Sequence, residues 1–187
     1  MKAFDSSSSI HGLTSGVALV TGGGQRIGRA ICHTLAEAGW AVAIHHLSSS
    51  TEAIALAGDI EGRGGKAITI SADLADDEAV SGLVARASEE LGTVTCLINI
   101  ASVFLPDIIL TASADSWGRH IDINLRAPFF LTQAFALALG DENVGCVINI
   151  LDERVWNLTP YFASYTVSKV GLWTLTQTCA LALAPKV

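Results

Sequence analysis

The chain has 187 residues and a formal net charge of −7 at pH 7, with a sequence pI near 5.1, so it lacks the positive surface that nucleic acid or anionic lipid would exchange for counterions. Its length fits one domain with a sizeable core. Half of its residues are hydrophobic, yet the most apolar stretch, 170–184, is broken by Thr174, Thr176, Gln177 and Thr178 and falls short of the roughly 18 uninterrupted apolar residues that a membrane-spanning helix needs.

In chain order, residues 1–15 carry one Lys and a Ser cluster at 6–9, without the apolar segment or cleavage site of a signal peptide, and read as a disordered leader. From residue 16 onward, Val- and Ile-rich runs at 17–21, 41–45, 67–71, 96–99 and 146–150 alternate with helical patterns at about 26–38, 50–63, 76–91, 114–139 and 163–183. That alternation predicts repeated βαβ units and a parallel sheet, and the near-continuous hydrophobicity of the runs predicts helices on both sheet faces. Gly39, Gly64 with Gly65, Gly92 and Gly140 stand just past four of the helices, where a left-handed residue closes a helix C-terminus. The chain stops at Val187, directly after a helix and a proline. A parallel sheet ending there exposes the edge of its last strand, so the expectation is a single domain, 16–187, that is C-terminally incomplete. Cys32, Cys96, Cys146 and Cys179 lie far apart without CxxC spacing, three of them inside apolar patterns. Reduced, buried thiols of a cytoplasmic protein are expected, with neither disulfides nor a metal site.

Four places along this series carry chemistry. The first strand runs into Thr21-Gly22-Gly23-Gly24-Gln25-Arg26-Ile27-Gly28, and a helix begins at about Arg26. Glycines there let the backbone approach a pyrophosphate while the helix N-terminus offers free N–H groups; a loop that merely needs positive φ would look the same. The second strand ends in His45-His46-Leu47-Ser48-Ser49-Ser50, with no acid. A carboxylate there would accept from the ribose 2′-hydroxyl of NAD and repel a 2′-phosphate, whereas His and Ser can donate to one, so NADP is expected ahead of NAD. The plainer alternative is that His45 and His46 only finish a strand. Mid-way through the fourth helical pattern, Pro128 cannot donate to the carbonyl of Asn124, which leaves that oxygen free or kinks the helix. Tyr165 and Lys169, four apart, share one helix face, and an ammonium beside a phenol lowers the phenol pKa toward the range useful for proton transfer.

The loop at 21–28 resembles the TGxxxGxG loop of short-chain dehydrogenases/reductases, with Arg26 in place of the middle Gly, and Tyr165-Thr166-Val167-Ser168-Lys169 is similar to their active-site YxASK. The resemblance covers about 16–186. It implies an α/β fold, a doubly wound parallel sheet of Rossmann type with five strands in the order 3-2-1-4-5, lacking the last two family strands. It implies that Tyr165 supplies a proton, that Lys169 holds the ribose, and that Asn124 is a fourth catalytic residue whose carbonyl holds a water near the lysine. Asp152 stands thirteen residues before Tyr165, where the family has Ser; a carboxyl group adds a second titratable site, and the competing reading is a surface acid paired with Arg154. Cofactor contacts are implied for Thr21, Gly22, Gln25, Arg26, Ile27 and Gly28 in the loop, for His45, His46, Ser48 and Ser49 after the second strand, for Asp73 and Leu74 after the third, and for Asn99, Ala101 and Ser102 after the fourth. Asp73 would face the adenine; an N-cap of the next helix is the equal alternative.

Arg26, Asp152 and the segment Asn99-Ile100-Ala101-Ser102-Val103-Phe104 together resemble the pteridine reductase branch of the family. That likeness implies that Arg26 and Ser102 sit by the cofactor phosphates and the pterin, and that Phe104 stacks on the substrate ring opposite the nicotinamide; an ordinary core Phe is the alternative. Ile100 breaks the family's Asn-Asn-Ala, and Ser48 stands where the branch has Arg. The resulting expectation is an NADPH-dependent reductase passing hydride to a C=N or C=O bond of a small molecule such as a pterin. Asp152 and Phe104 would contact the substrate with Tyr165, and the protein would be a homo-oligomer joined through the helices after strands four and five. A carbonyl reductase of 3-oxoacyl or sugar type, and a nucleotide-binding scaffold without turnover, are the competing readings.

Overall fold

The computed structural model describes residues 15–187, and the expected leader lies outside the described residues except for Ser15. Strands form at β1 (Val17–Val20), β2 (Ala41–His46), β3 (Lys66–Ser71), β4 (Val94–Asn99) and β5 (Cys146–Asn149), within two residues of the expected runs. They pair in parallel in the order β3-β2-β1-β4-β5, as the resemblance implied. The helices are α1 (Arg26–Glu37), α2 (Ser50–Gly62), α3 (Asp77–Leu91), α4 (Ala114–Ile121), α5 (Ala127–Ala138) and α6 (Ala163–Leu183).

Successive strand residues point to opposite faces, and both faces are covered. Ala18, Val20, Val42 and Ile44 pack with Cys32 of α1 and Leu56 and Ile60 of α2. Leu19, Ala43 and Leu97 pack on the other face with Leu83 and Val84 of α3 and Leu131 and Phe135 of α5. β5 departs from this pattern, since among the described residues it pairs only with β4 and is half-buried. Cys32 and Cys96 are buried, and burial pushes both thiols up to about 12, where they are unreactive; Cys146 and Cys179 are only partly covered, short of the expected core positions. Among the described residues no helix is long and apolar enough to cross a membrane.

Two local departures from expectation bear on the site. The helical pattern at 114–139 is not one α-helix, because a π turn, Asp122–Arg126, joins α4 to α5. Pro128 has no N–H for the Asn124 carbonyl, and the Ala127 N–H reaches back to the Asp122 carbonyl, so the ladder widens by one residue. At the start of α3 the capping residue is Asp76, whose carboxylate accepts from the amides of Glu78 and Ala79. Asp73 is therefore not the N-cap; its Oδ1 accepts the Ala75 amide at 2.9 Å and leaves the residue exposed at the end of β3.

Because β2 lies on one side of β1 and β4 on the other, the chain reverses its direction of winding there, and a crevice opens at the C-terminal ends of these strands.

Candidate active site

A cleft of about 470 Å³ occupies that crevice, running from the glycine loop and the end of β2 past Asp73 and Leu74 to Ala101, Ser102 and Val103. Steric limits in the loop are severe. A Cβ on Gly28 would lie 2.2 Å from the Gly22 carbonyl oxygen, and one on Gly22, at φ +64°, would lie 3.0 Å from the Ala101 Cα. The N-terminus of α1 opens toward this cleft with no side-chain cap and no acid in its first turn; the Gln25 side chain bonds Glu52 instead, at 2.6 Å. Free amides and an uncompensated helix dipole form an anion cradle. Arg26, exposed at the mouth and without an ion-pair partner among the described residues, adopts φ 49°, a conformation that costs a non-glycine residue about 1 kcal/mol or more. A larger hollow of about 520 Å³ lies at the opposite end of the strands around Gly16 and Trp40, but its His33 and Arg63 are both paired with Asp59.

Several expected cofactor contacts are scaffold instead. Thr21 is buried; its hydroxyl accepts from the Ile100 and Ala101 amides at 3.0 and 3.1 Å, which ties the glycine loop to the end of β4. Asn99 is buried against β5, donating to Asn149 Oδ1 at 2.9 Å, and does not line the cleft. His45 cannot donate to a 2′-phosphate. Its Nδ1 accepts the Gly22 amide at 3.1 Å, so Nε2 carries the proton and donates to the Ala72 carbonyl at 3.0 Å. Desolvation lowers its pKa to about 4, which keeps the ring neutral. His46 differs, because its buried Nδ1 has no partner among the described residues. Together with Ser48 and Ser49 it faces the cleft, and no acid stands at this end of β2.

Beyond Ser102 lies the proton-handling group. The Tyr165 hydroxyl donates to Asp152 Oδ2 at 2.9 Å, and Asp152 Oδ1 accepts the Arg154 amide at 2.9 Å. The Arg154 guanidinium pairs with Glu153, so Asp152 is not its surface partner. Lys169 is buried and donates to the Ile150 carbonyl at 2.9 Å, its Nζ 5.9 Å from the centre of the Tyr165 ring. The expected lowering of the phenol pKa by this lysine does not occur here. Burial and then the Asp152 carboxylate push Tyr165 above its ordinary range, and only Ser102 and Arg154 oppose them. Burial in turn lowers Lys169 to about 8, with Asp152 offsetting part of the shift. The phenol is thus held protonated, the state that an acid requires.

The Asn124 side chain is fully buried and bonded within the protein. Its Oδ1 accepts from the Val103 amide and the Ser102 hydroxyl, and its Nδ2 donates to the Val103 carbonyl and to Ser168, whose hydroxyl bonds the Tyr165 carbonyl. It joins the segment after β4 to the first turn of α6. Phe104 is 53% exposed rather than core, and its ring packs steeply against that of Tyr165, with centroids 4.6 Å apart and planes at 73°. One of its two faces stacks on Phe162, with centroids 4.3 Å apart. Phe162, which sequence reasoning did not single out, precedes α6 at φ 58° with Arg154 over its ring at 6.0 Å. Also missed were Asp107, Ser164 and His120, buried behind Tyr165. The one signal for them was His120 standing a helical turn before Asn124, on the same face.

The chain is similar to FolM alternative dihydrofolate reductase 1 from Brucella canis, solved in complex with NADP. The two are 43% identical, with a TM-score of 0.88 over 92% of this chain and 69% of that one. It is also similar to a blue fluorescent protein from a metagenomic library, solved with NADPH, at 34% identity and a TM-score of 0.86 over 91% and 70% of the two chains. Among curated proteins, the 3-oxoacyl-[acyl-carrier-protein] reductase of Synechocystis sp. is 32% identical across 93% of this chain and 70% of its own length. Residues 16–187 match the short chain dehydrogenase family. With that match and the Tyr165, Lys169 and glycine-loop geometry, the chain belongs to the short-chain dehydrogenase/reductase family of oxidoreductases.

Proposed function

We propose that the protein is an NADPH-dependent reductase that passes hydride to a C=N bond of a reduced pterin. The carrying observation is the Asp152–Tyr165 pair, a carboxylate 2.9 Å from the phenol at the position where the family commonly has Ser, packed against the exposed Phe104 ring. A carboxyl group beside a phenol suits a ring nitrogen, since it can accept an N–H and, when protonated, deliver a proton, whereas a serine hydroxyl mainly orients a carbonyl. The FolM likeness supports the same substrate class.

The cleft suits a dinucleotide with a 2′-phosphate. The uncapped start of α1 and Arg26 would hold the phosphates, His46, Ser48 and Ser49 would meet the 2′-phosphate, Asp73 and Leu74 would border the adenine, and Lys169 would hold the ribose on the nicotinamide side. NADPH bound there supplies the hydride. Tyr165 donates its hydroxyl proton to the substrate nitrogen and is reprotonated from solvent, Asp152 orients the substrate and the phenol, and Phe104 forms the wall on which the flat ring lies. Residues 16–187 act as one dinucleotide-binding and catalytic domain of a cytoplasmic protein. The exposed Trp117 of α4, Phe129, Phe130 and Leu137 of α5, and Val167 and Leu181 of α6 support a homo-oligomer joined through these helices.

Dissociation constants for NADPH and NADH, followed by NADPH oxidation with dihydrobiopterin, dihydrofolate and a panel of ketones and 3-oxoacyl thioesters, test the reading. The expected result is tighter NADPH binding and turnover of the pterins. Tighter NADH binding refutes the cofactor. Turnover of 3-oxoacyl thioesters without pterin reduction moves the substrate to the class named by the Synechocystis relative.

A further inference from the structure

Behind Tyr165 runs a chain of buried polar groups that the proton donor and its carboxylate do not use. His120 is fully buried, and Ser164 and Asp107 are buried with it. The proton positions follow from the partners. Leu105 donates its amide to His120 Nε2 at 3.0 Å, so the ring proton sits on Nδ1 and goes to Ser164 Oγ at 2.7 Å. Ser164 in turn donates its hydroxyl to the Asp107 carboxylate, which also accepts the Ser164 amide at 3.2 Å. The order is Asp–Ser–His, with the serine donating into the carboxylate, so no base activates it and the group is not a hydrolytic triad.

What these residues do is join two segments far apart in sequence. Leu105 adjoins Phe104, Ser164 adjoins Tyr165, and the Asp107 carbonyl accepts the amide of Phe162, the residue stacked on Phe104, at 2.7 Å. Helix α6 has no side-chain cap from its own N-terminal flank, Phe162. Asp107, 57 residues away, provides that cap from the segment after β4.

We propose that Asp107, Ser164 and His120 are positioning residues that set the separation between Phe104, the substrate wall, and Tyr165, the proton donor. The proposal rests on the roles given to those two residues in the proposed function. Loosening the chain misplaces the substrate ring relative to the phenol, and a displacement of about 1 Å is enough to cost roughly a hundredfold in rate. NADPH affinity is expected to stay, because the phosphate and adenine parts of the cofactor cleft are built at the ends of β1, β2 and β3, only residues 100–103 of its lining belong to the segment after β4, and Lys169 is held separately by the Ile150 carbonyl.

The test compares Ser164→Ala, Ser164→Thr and Tyr165→Phe with the wild type, reading kcat for dihydropterin, the NADPH dissociation constant, and the histidine tautomers by ¹⁵N NMR. Expected are an Nδ1–H tautomer of His120 in the wild type, a ten- to hundredfold fall of kcat in Ser164→Ala with NADPH affinity within about twofold, and recovery to within about threefold in Ser164→Thr, which keeps the hydroxyl. Where Ser164→Ala does not fold, Asp107→Asn is read in its place with the same outcomes. If Tyr165→Phe is inactive and Ser164→Ala keeps kcat within twofold, the positioning role falls and the proton donor stands. An active Tyr165→Phe removes the donor and the positioning role together. The proposal is also overturned by an Nε2–H or charged His120 at pH 7, or by a joint loss of kcat and NADPH affinity that Ser164→Thr does not recover.

Discussion

Acidification offers a perturbation whose size can be worked from His45. The ring bridges the Gly22 amide to the Ala72 carbonyl and is 2% exposed, with its pKa lowered from 6.5 to about 4, first by desolvation. Between those two values the unfolded chain binds a proton that the folded chain refuses, so stability falls as pH drops through 6.5 and the loss is complete near pH 4. For this residue alone the loss is about 2 kcal/mol at pH 5 and about 3 kcal/mol near pH 4, taking 1.36 kcal/mol per pKa unit. Urea denaturation of the wild type and of His45→Gln at pH 7.5 and pH 5 measures it. Glutamine keeps a donor and an acceptor but takes up no proton, so the variant should lose about 2 kcal/mol less than the wild type across this interval. The contributions of His120 and Asp107, both with lowered pKa values, are common to the two proteins and cancel. Equal losses would refute the reasoning, because the ring would then not be held neutral in the fold. Since a protonated Nδ1 cannot accept the Gly22 amide, the ring's support of the glycine loop, and with it NADP⁺ affinity, should hold from pH 7.5 to pH 5 and weaken only as the pH approaches 4.

Gly28→Ala places a Cβ 2.2 Å from the Gly22 carbonyl oxygen; a loss of more than tenfold in NADPH affinity with a lower Tm is expected by titration and calorimetry, since overpacking costs roughly 1–3 kcal/mol. Arg26→Gly relieves the φ 49° backbone but removes a cation from the cradle. NADPH affinity should fall about tenfold and its salt dependence should flatten, as measured by fluorescence titration from 50 to 300 mM salt. Asp152→Ser should cost pterin reduction at least tenfold more than ketone reduction, because a ring nitrogen loses the carboxyl group beside the phenol while a serine hydroxyl can still orient a carbonyl; equal losses in steady-state kinetics would leave Asp152 catalytic and remove the pterin assignment.

The strand and helix series and the glycine loop were legible in the sequence, because each is a local pattern: a hydrophobic run, a 3.6-residue period, a glycine where a Cβ would collide; the strand order was legible only through the family resemblance. Tyr165, Asp152 and Lys169 were legible as a set through family spacing. How they interact was not. The tertiary structure turns Lys169 to the Ile150 carbonyl and gives the phenol to Asp152, which reverses the direction of the tyrosine pKa. His45, Thr21 and Asn99 carried residue types suited to a cofactor, yet their partners are backbone and side-chain groups in or just past neighbouring strands, 23 to 80 residues away. The chain linking Asp107, Ser164 and His120 spans 44 to 57 residues and has no period to reveal it. Sequence alone determined which residues are near one another along a strand or a helical turn. Only the packed structure decided which buried donor meets which acceptor, because that pairing is set by the desolvation of each group where distant segments meet.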